Sequence, residues 1–391
     1  MEKLEQLQAE LQPLAERYDV VVANPPYMGS NNMNKWLADW TKRAYPDSKR
    51  DLCTCFIERG QNLTIDRGYE ALITSDTCMY ISSFEQLRKN ILSRSTIVCF
   101  IDTRGTNAHP DVFDANAGWV LYNAFVEGVK GSYFKLNQAI AAKEAGLLEA
   151  LANPDCGWFY RKRAESFELI PGSPIGYWVS ERLWEAYGDG ETFAEVGHPK
   201  VGMQTSNNEK YLRLWWEIRY SDYERSSELP LWIKYLKGGD YRKRYGNIEY
   251  LLHYKADPSY ILQQPNARVL DLDYLKKPKC TWTDLTSGEP SFRFAPSDTF
   301  YDISGHCFFP AESDQLFLLA YANSSLVSLL KKVFNSSFHF QCGDLAKIIV
   351  PSVGDDVRRH IEAISDRLVS ISKTDWDSFE TSMQFEKHPL I

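Results

Sequence analysis

An amide followed by two prolines and a phenol, Asn24-Pro25-Pro26-Tyr27, is the most chemically specific grouping in this 391-residue chain. Consider an exocyclic amine on an aromatic ring. Its lone pair is delocalised into the ring, which makes it a poor nucleophile. Two acceptors, one for each N–H, pull the nitrogen toward tetrahedral geometry and localise that pair. The Asn24 side-chain oxygen and the Pro25 carbonyl can serve, since Pro26 has no N–H to compete. Tyr27 adds a flat face, and stacking is worth roughly 1–3 kcal/mol per base, which helps offset taking a base out of a duplex. The same residues can also be a strand ended by a proline turn with a surface tyrosine. At average usage such a tetrapeptide arises by chance in roughly one chain per thousand of this length.

The tetrapeptide needs a strand behind it. Val20–Ala23 run apolar into Asn24, and the prolines then stop any strand or helix. Leu4, Leu7, Leu11 and Leu14 recur at helical steps, predicting an amphipathic helix over 2–17 ahead of a strand at 18–23. Further on, the spacing predicts a helix over 51–64 with Leu52, Cys55, Phe56 and Leu63 on one face. A turn at Asp66-Arg67-Gly68 leads to a strand over 69–75, and Ser83 opens a helix over 83–93. Strands over 96–103 and 118–127 flank a loop around Pro110 to Asn116. Alternation of this kind predicts an α/β part with a mainly parallel sheet, whose ligands sit beyond the carboxyl ends of the strands.

After about residue 135 the texture changes. A helix over 137–151 gives way to Gly, Pro, aromatics and short β-like runs from Trp158 to Pro310. Helix returns over 313–334, and an amphipathic helix is predicted over 355–372. A chain this long exceeds one compact core, so two or three domains are expected. Net charge is −8, which argues against nonspecific coating of nucleic acid but permits a local basic cleft.

Other chemistries find little support. Eight cysteines are scattered, and the closest pair, Cys53 and Cys55, has no second pair to build a zinc ribbon. They read as reduced thiols of a cytoplasmic protein. Seven histidines show no metal-binding spacing, so no metal site is expected. No phosphate loop and no nuclease cluster of acids appear. Asp76, just past the second strand, could lie near the active site, but helix capping is the commoner role for such a residue. No stretch of eighteen apolar residues occurs, so no membrane partner is expected.

Asn-Pro-Pro-Tyr after a hydrophobic strand resembles the catalytic motif of S-adenosylmethionine-dependent amino-group methyltransferases, above all the N6-adenine DNA enzymes. Glutamine methyltransferases carry the same four residues. "DLCTCFIERGQNL", "YEALITSDTCMYISSFEQLRKNIL" and "IVCFIDTRGTNAHPDVFDANAGWVLYNAFV" resemble the helix, strands and "LR" helix that follow the motif in large adenine-specific DNA methyltransferases. "VGMQTSNNEKYLRLWWE", "WIKYLKGGDYRKRYGN" and "FNSSFHFQCGDLAKIIVP" resemble parts of a target-recognition domain. The resemblance runs from Tyr18 to about Pro351 and points to the methyltransferases of bacteriophage-exclusion (BREX) defence, with restriction-modification relatives close behind.

This resemblance implies an α/β fold. The C-terminal half of a Rossmann-like methyltransferase sheet (1–135) would lead through a helical linker (136–175) to a mixed α+β target-recognition domain (176–350) and a C-terminal helical tail (351–391). Asn24, Pro25, Pro26 and Tyr27 would be catalytic, and double-stranded DNA the substrate. Between Lys234 and Lys255 six Lys or Arg stand against two acids, a local reversal suited to phosphates. Lys237, Arg242, Lys243 and Arg244 are the candidates for the DNA backbone. Gly238 and Gly239 would allow close main-chain approach. Gln204, Thr205, Asn207 and Asn208 are candidates for base edges, because amides match adenine's donor–acceptor pair. A solvated basic loop and a plain polar loop fit the same residues.

The cofactor implied is S-adenosyl-L-methionine. Its main binding motif is expected to be absent from this chain, which has no G-x-G and only about seventeen residues before the catalytic strand. That strand is then expected to be an exposed apolar sheet edge. On this expectation a missing N-terminal segment or a separate chain supplies the cofactor-binding half, and the isolated chain is inactive. A non-catalytic DNA-recognition or scaffold remnant is the alternative. Other defence-system subunits are further expected partners.

Overall fold

A computed structural model describes residues 11–103, 117–136, 143–224, 231–254, 258–286, 288–334, 338–388 and 390. The chain divides into two compact units, Met1–Gly188 and Asp189–Ile391. Labels below are given to strands and to helices longer than two turns.

The first unit is built on a six-stranded sheet. Its strands are β1 (Tyr18–Ala23), β2 (Thr64–Thr74), β3 (Thr96–Asp102), β4 (Ala117–Tyr122), β5 (Lys130–Lys135) and β6 (Phe159–Arg163), in the order β1-β2-β4-β3-β5-β6. Pairings β1–β2 and β3–β5 are parallel, whereas β2–β4, β3–β4 and β5–β6 are antiparallel. The expected mainly parallel sheet is therefore corrected to a mixed one. The reason is β4, which inserts between β2 and β3 against both of them. Within 136–175, expected to be a helical linker, β6 pairs with β5 and extends this sheet.

The helices of this unit are α1 (Lys35–Ala44), α2 (Leu52–Leu63), α3 (Glu85–Arg94), α4 (Lys143–Ala152) and α5 (Glu181–Asp189). α2 packs on β1 and β2. Period-two alternation in β2 and β4 turns Leu72, Trp119 and Leu121 inward, and the same inner core includes Phe100 with its ring 4.5 Å from Trp119. α4 covers part of the opposite face, where Ala150 joins Phe134 and Leu136. Ser83 does not cap α3; a 3-10 turn at Ser82–Phe84 leads into it, and no side chain caps it. Of the helix expected over 2–17, residues 11–15 are helical and 1–10 lie outside the described residues. The same holds for the loop around Pro110 to Asn116 and for residues 137–142.

β1 forms the sheet edge, and Val20 and Val22 are 56% and 74% exposed there. Two prolines one residue beyond Ala23, Pro25 and Pro26, keep the chain from extending that strand. The tetrapeptide thus stands at the carboxyl end of an edge strand.

The second unit holds three small sheets with orders β13-β9-β10-β8, β12-β11-β14 and β15-β7. Their strands are β7 (Glu191–Thr192), β8 (Leu212–Leu214), β9 (Trp232–Leu236), β10 (Tyr250–His253), β11 (Lys279–Trp282), β12 (Phe292–Ala295), β13 (Thr299–Tyr301), β14 (Cys307–Phe308) and β15 (Ile349–Val350). Two helices, α6 (Gln315–Ala322) and α7 (Ser325–Phe334), replace the single one expected over 313–334, and they bend by 76°. Asn323 makes the break. Its amide accepts from the Phe292 N–H at 3.1 Å and donates to the Phe292 carbonyl at 3.0 Å, taking the place of a strand partner. α8 (Asp355–Asp377), expected as a tail, packs on α6 and buries Trp376 against Tyr245, Ile248 and Tyr301. Among the described residues no single helix is long and apolar enough to cross a membrane, and no cluster of three or more His, Cys, Asp or Glu could hold a metal ion. All eight cysteines are free thiols.

Candidate active site and nucleic-acid interface

The parallel pairing of β1 with β2 places Ala23 opposite Leu72, so Asn24 emerges beside the end of β2. Asn24 is exposed, Pro25 is buried and Pro26 is exposed. The Tyr27 hydroxyl donates to the Ile73 carbonyl at 3.1 Å, and its ring remains 37% exposed. Burial, with smaller contributions from Cys53 and Asp51, pushes the Tyr27 phenol up to about 12. It is therefore neutral near pH 7 and takes no proton from a substrate; its ring face is the useful part.

The turn after Tyr27 is held by one carboxylate. Asp51 accepts from the Met28 N–H at 3.3 Å and from the Cys53 N–H at 3.0 Å, the latter as the N-cap of α2. Leu52 N–H donates to the Met28 carbonyl at 3.0 Å, and Ser30 N–H to the Arg50 carbonyl at 2.7 Å. Loop and helix start are thereby joined. Asp76 is 3% exposed, at the end of β2 in a 3-10 turn capped by Ser75 rather than by itself. Asn24 follows β1, Asp76 follows β2 and Asp51 caps α2. An amide and carboxylates are the donor types that suit a cationic methyl donor such as a sulfonium.

Candidate DNA contacts all fall in the second unit, and some of them flank one turn. Met203 bridges to Asp302, and the Ser304 hydroxyl donates to the Lys237 carbonyl at 2.9 Å. Residues 203–204 and 237–239 thus flank the Asp302–Gly305 turn. Gly238 and Gly239 have φ of +84° and +90°, the left-handed region that glycine favours. A Cβ on Gly238 would stand 2.8 Å from the Ser304 carbonyl oxygen, so the protein itself requires this glycine.

Several candidates are occupied inside the protein. Arg242 pairs with Asp375 at 2.8 Å and lies over the Trp376 ring at 5.0 Å. Lys243 pairs with Glu289 at 3.3 Å. Thr205 is buried and donates to the Asn208 amide oxygen at 2.7 Å, while Asn207 accepts from the Lys210 N–H at 3.1 Å as a cap. Gln204 pairs with Arg268 through its main chain, leaving its amide half-buried. Arg244, half-buried, joins Phe292 and Phe294 through its main chain at 2.7 Å.

Sequence reasoning missed the polar network behind this turn. Asp302 accepts from the Tyr235 hydroxyl at 2.8 Å and from the Ser304 N–H at 2.9 Å. Asp284 accepts from His339 at 2.8 Å and faces buried His306 at 3.7 Å, and burial pushes the His306 imidazole down. The short run Asp302-Ile303-Ser304-Gly305-His306 was the available signal, since a glycine between polar residues marks a turn.

The Eco57I restriction-modification methylase family model matches residues 2–109. Adenine-specific methyltransferase PglX of Lacticaseibacillus casei (strain Zhang) is 31% identical over 396 residues, covering 97% of this chain and 33% of the relative. Adenine-specific methyltransferase BrxX of Escherichia coli O9:H4 (strain HS) is 30% identical over 387 residues, covering 97% of this chain and 31% of the relative. This chain is a homologue of BREX-type adenine-specific DNA methyltransferases. It spans about a third of the length of the curated relatives it matches.

Among solved structures, the Type IIL restriction-modification enzyme MmeI in complex with DNA aligns with a TM-score of 0.57 at 9% identity, over 94% of this chain and 50% of that one. The Type ISP enzyme LlaGI with a DNA substrate mimic aligns with a TM-score of 0.51 at 10% identity, over 94% of this chain and 42% of that one. These likenesses show a mixed α/β restriction-modification fold.

One expectation is overturned. The cofactor-binding motif was expected to be absent from the chain and supplied from elsewhere. The methylase model instead matches residues 2–109, so the catalytic and cofactor region is present here. Lack of G-x-G was a poor guide, because the ends of strands offer main-chain donors and acceptors whatever the spacing of glycines.

Proposed function

We propose that this chain carries site-specific adenine-N6 DNA methyltransferase activity within a phage-defence or restriction-modification system. In this reading the first unit, whose sheet runs on through β6, forms the catalytic core and the second unit recognises the target sequence. Asn24 supports it most directly: an exposed amide at the carboxyl end of β1, beside a half-exposed Tyr27 ring that the Ile73 carbonyl holds in place.

S-adenosyl-L-methionine, when bound, supplies the electrophilic methyl group. The chain's own residues prepare the acceptor. Adenine extruded from the duplex stacks on Tyr27. Its two N6–H groups donate to the Asn24 side-chain oxygen and the Pro25 carbonyl, which concentrates the lone pair on nitrogen. The new N–CH3 bond would form as the donor's S–CH3 bond breaks to leave a neutral thioether, and the surplus N6 proton would pass to water. Asp51 keeps Tyr27 and Asn24 from drifting by fixing Met28, the next residue along. In the second unit, Lys237 and Arg244 are the cations left for phosphates, and Gln204 and Asn208 the amides nearest to a base-reading role.

The test uses the whole chain, labelled S-adenosylmethionine and double-stranded DNA. Label should appear on adenine N6, and Asn24→Ala should abolish transfer while leaving DNA affinity within about twofold. Transfer that survives Asn24→Ala would reduce the tetrapeptide to a turn. Sequence-selective DNA binding with no transfer would instead favour a recognition module.

A further inference from the structure

A second cationic surface, unnoticed in the sequence, adjoins the tetrapeptide. Residues 28–50 carry five Lys or Arg against two acids, Asp39 and Asp47, in a chain of net charge −8. Asp39 is taken by Lys42 at 3.6 Å, and Asp47 accepts from the Asn90 amide at 2.9 Å. Lys35, Arg43, Lys49 and Arg50 make no ion pair among the described residues.

On the same helix, α1, two indoles face water. Trp36 is 71% exposed and Trp40 36%, with ring planes 1° apart and centroids separated by 6.4 Å. Tyr45 meets Trp40 edge-on at 5.4 Å. Spacing of four residues puts both indoles on one helix face. Large aromatic rings ordinarily gain by burial, so a parallel exposed pair marks a surface made for a partner. α1 is also tied to the catalytic turn. Asn34 caps it at 2.9 Å, and Ser30 and Met28 are bonded to Arg50 and Leu52.

We propose that the Trp36–Trp40 face of α1 is a nucleic-acid contact. The two indoles stack on nucleobases left unpaired when the target base leaves the duplex, while Lys35, Arg43, Lys49 and Arg50 hold the flanking phosphates. This rests on the adenine-methylation reading above. Charge argues for this occupant, because unpaired cations beside two π-faces match the phosphates and bases of an opened strand. An apolar protein partner would gain nothing from four unneutralised cations.

Binding of the whole chain to two fluorescent duplexes tests it, one fully paired and one with a single unpaired base. Replacing both exposed rings (W36A/W40A) should weaken the unpaired probe about tenfold or more and change the paired probe less than twofold. W36F/W40F, which keeps the π-faces, should retain most of that affinity. Arg43→Ala with Arg50→Ala should flatten the salt dependence for both probes. If W36A/W40A binds both probes as the unaltered chain does, the platform is refuted and the methylation reading stands. Equal losses on both probes with a lowered Tm would make the rings structural and also refute it. If the unaltered chain binds neither probe, the methylation reading fails and this inference falls with it.

Discussion

The hydroxyl of Tyr27 donates to the carbonyl of Ile73 at 3.1 Å, joining positions 46 residues apart across the ends of β1 and β2. The bond fixes the ring's angle and leaves its face available. Removing the hydroxyl should thus cost little, and removing the ring much more. Tyr27→Phe is expected to lower kcat/KM for methylation by less than about tenfold, the scale of one neutral hydrogen bond. Tyr27→Ala should lower it by about ten- to a hundredfold, the scale of lost stacking. Equal effects of the two changes would show that the hydroxyl, not the ring face, does the work.

Asp51 serves a loop and a helix at once. Asp51→Ala should cost about 0.5–2 kcal/mol in urea unfolding, the usual cost of a lost N-cap. It should also speed amide hydrogen exchange at both Met28 and Cys53. Faster exchange at Cys53 alone would mean that the loop is held by other bonds.

Glu70 sits in the middle of β2, 1% exposed, and neither carboxyl oxygen has a hydrogen-bond partner. Burial raises its carboxyl well above the ordinary glutamate value. A carboxyl raised on folding contributes its full share of stability below the unfolded value of about 4.3, and that share is lost as pH rises through the folded value. The unaltered chain should therefore lose stability relative to Glu70→Gln between pH 4 and pH 8. Urea midpoints across that range measure it, and a gap that does not change with pH would contradict it.

Not all basic residues of 237–244 are equivalent. Lys237→Ala should reduce the slope of log affinity for DNA against log salt by about one. Arg242→Ala should mainly lower the Tm, because Asp375 and Trp376 already hold this guanidinium. Matching salt slopes for the two variants would show that DNA displaces the internal partners.

Elements with a strong single period were legible from sequence. The apolar runs of β1 and β3 and the spans of α2 and α8 lie where the spacing puts them, but the buried face of α2 runs through Cys53, Ile57 and Gly60 and leaves Phe56, expected inside, 37% exposed. Strand direction was not legible, since alternation says which face a residue takes and nothing about its neighbour strand. β2 begins at Thr64, before the supposed turn, because Gly68 lets the chain pass close to the Asp19 carbonyl, where a Cβ would approach to 2.7 Å. β5 and β6 carry Lys130, Lys135, Arg161, Lys162 and Arg163, and charge at those positions hides a strand from a search for apolar runs. The candidate tetrapeptide Asn24–Tyr27 was readable because its groups are contiguous. The Asp284–His306–His339 cluster was not, because only the fold gathers those residues. Trp36 and Trp40 escaped notice for another reason: sequence shows that indoles are present, but not that they stand in water.

The grip of Asp375 on Arg242 ties the end of α8 to the basic segment. A guanidinium can serve one anion well at a time, so a phosphate that takes Arg242 must take it from Asp375. Anything that tightens α8 on its unit then weakens that phosphate contact by the same free energy, and the reverse holds as well. If Arg242 meets DNA, α8 would thus compete with it from inside the protein.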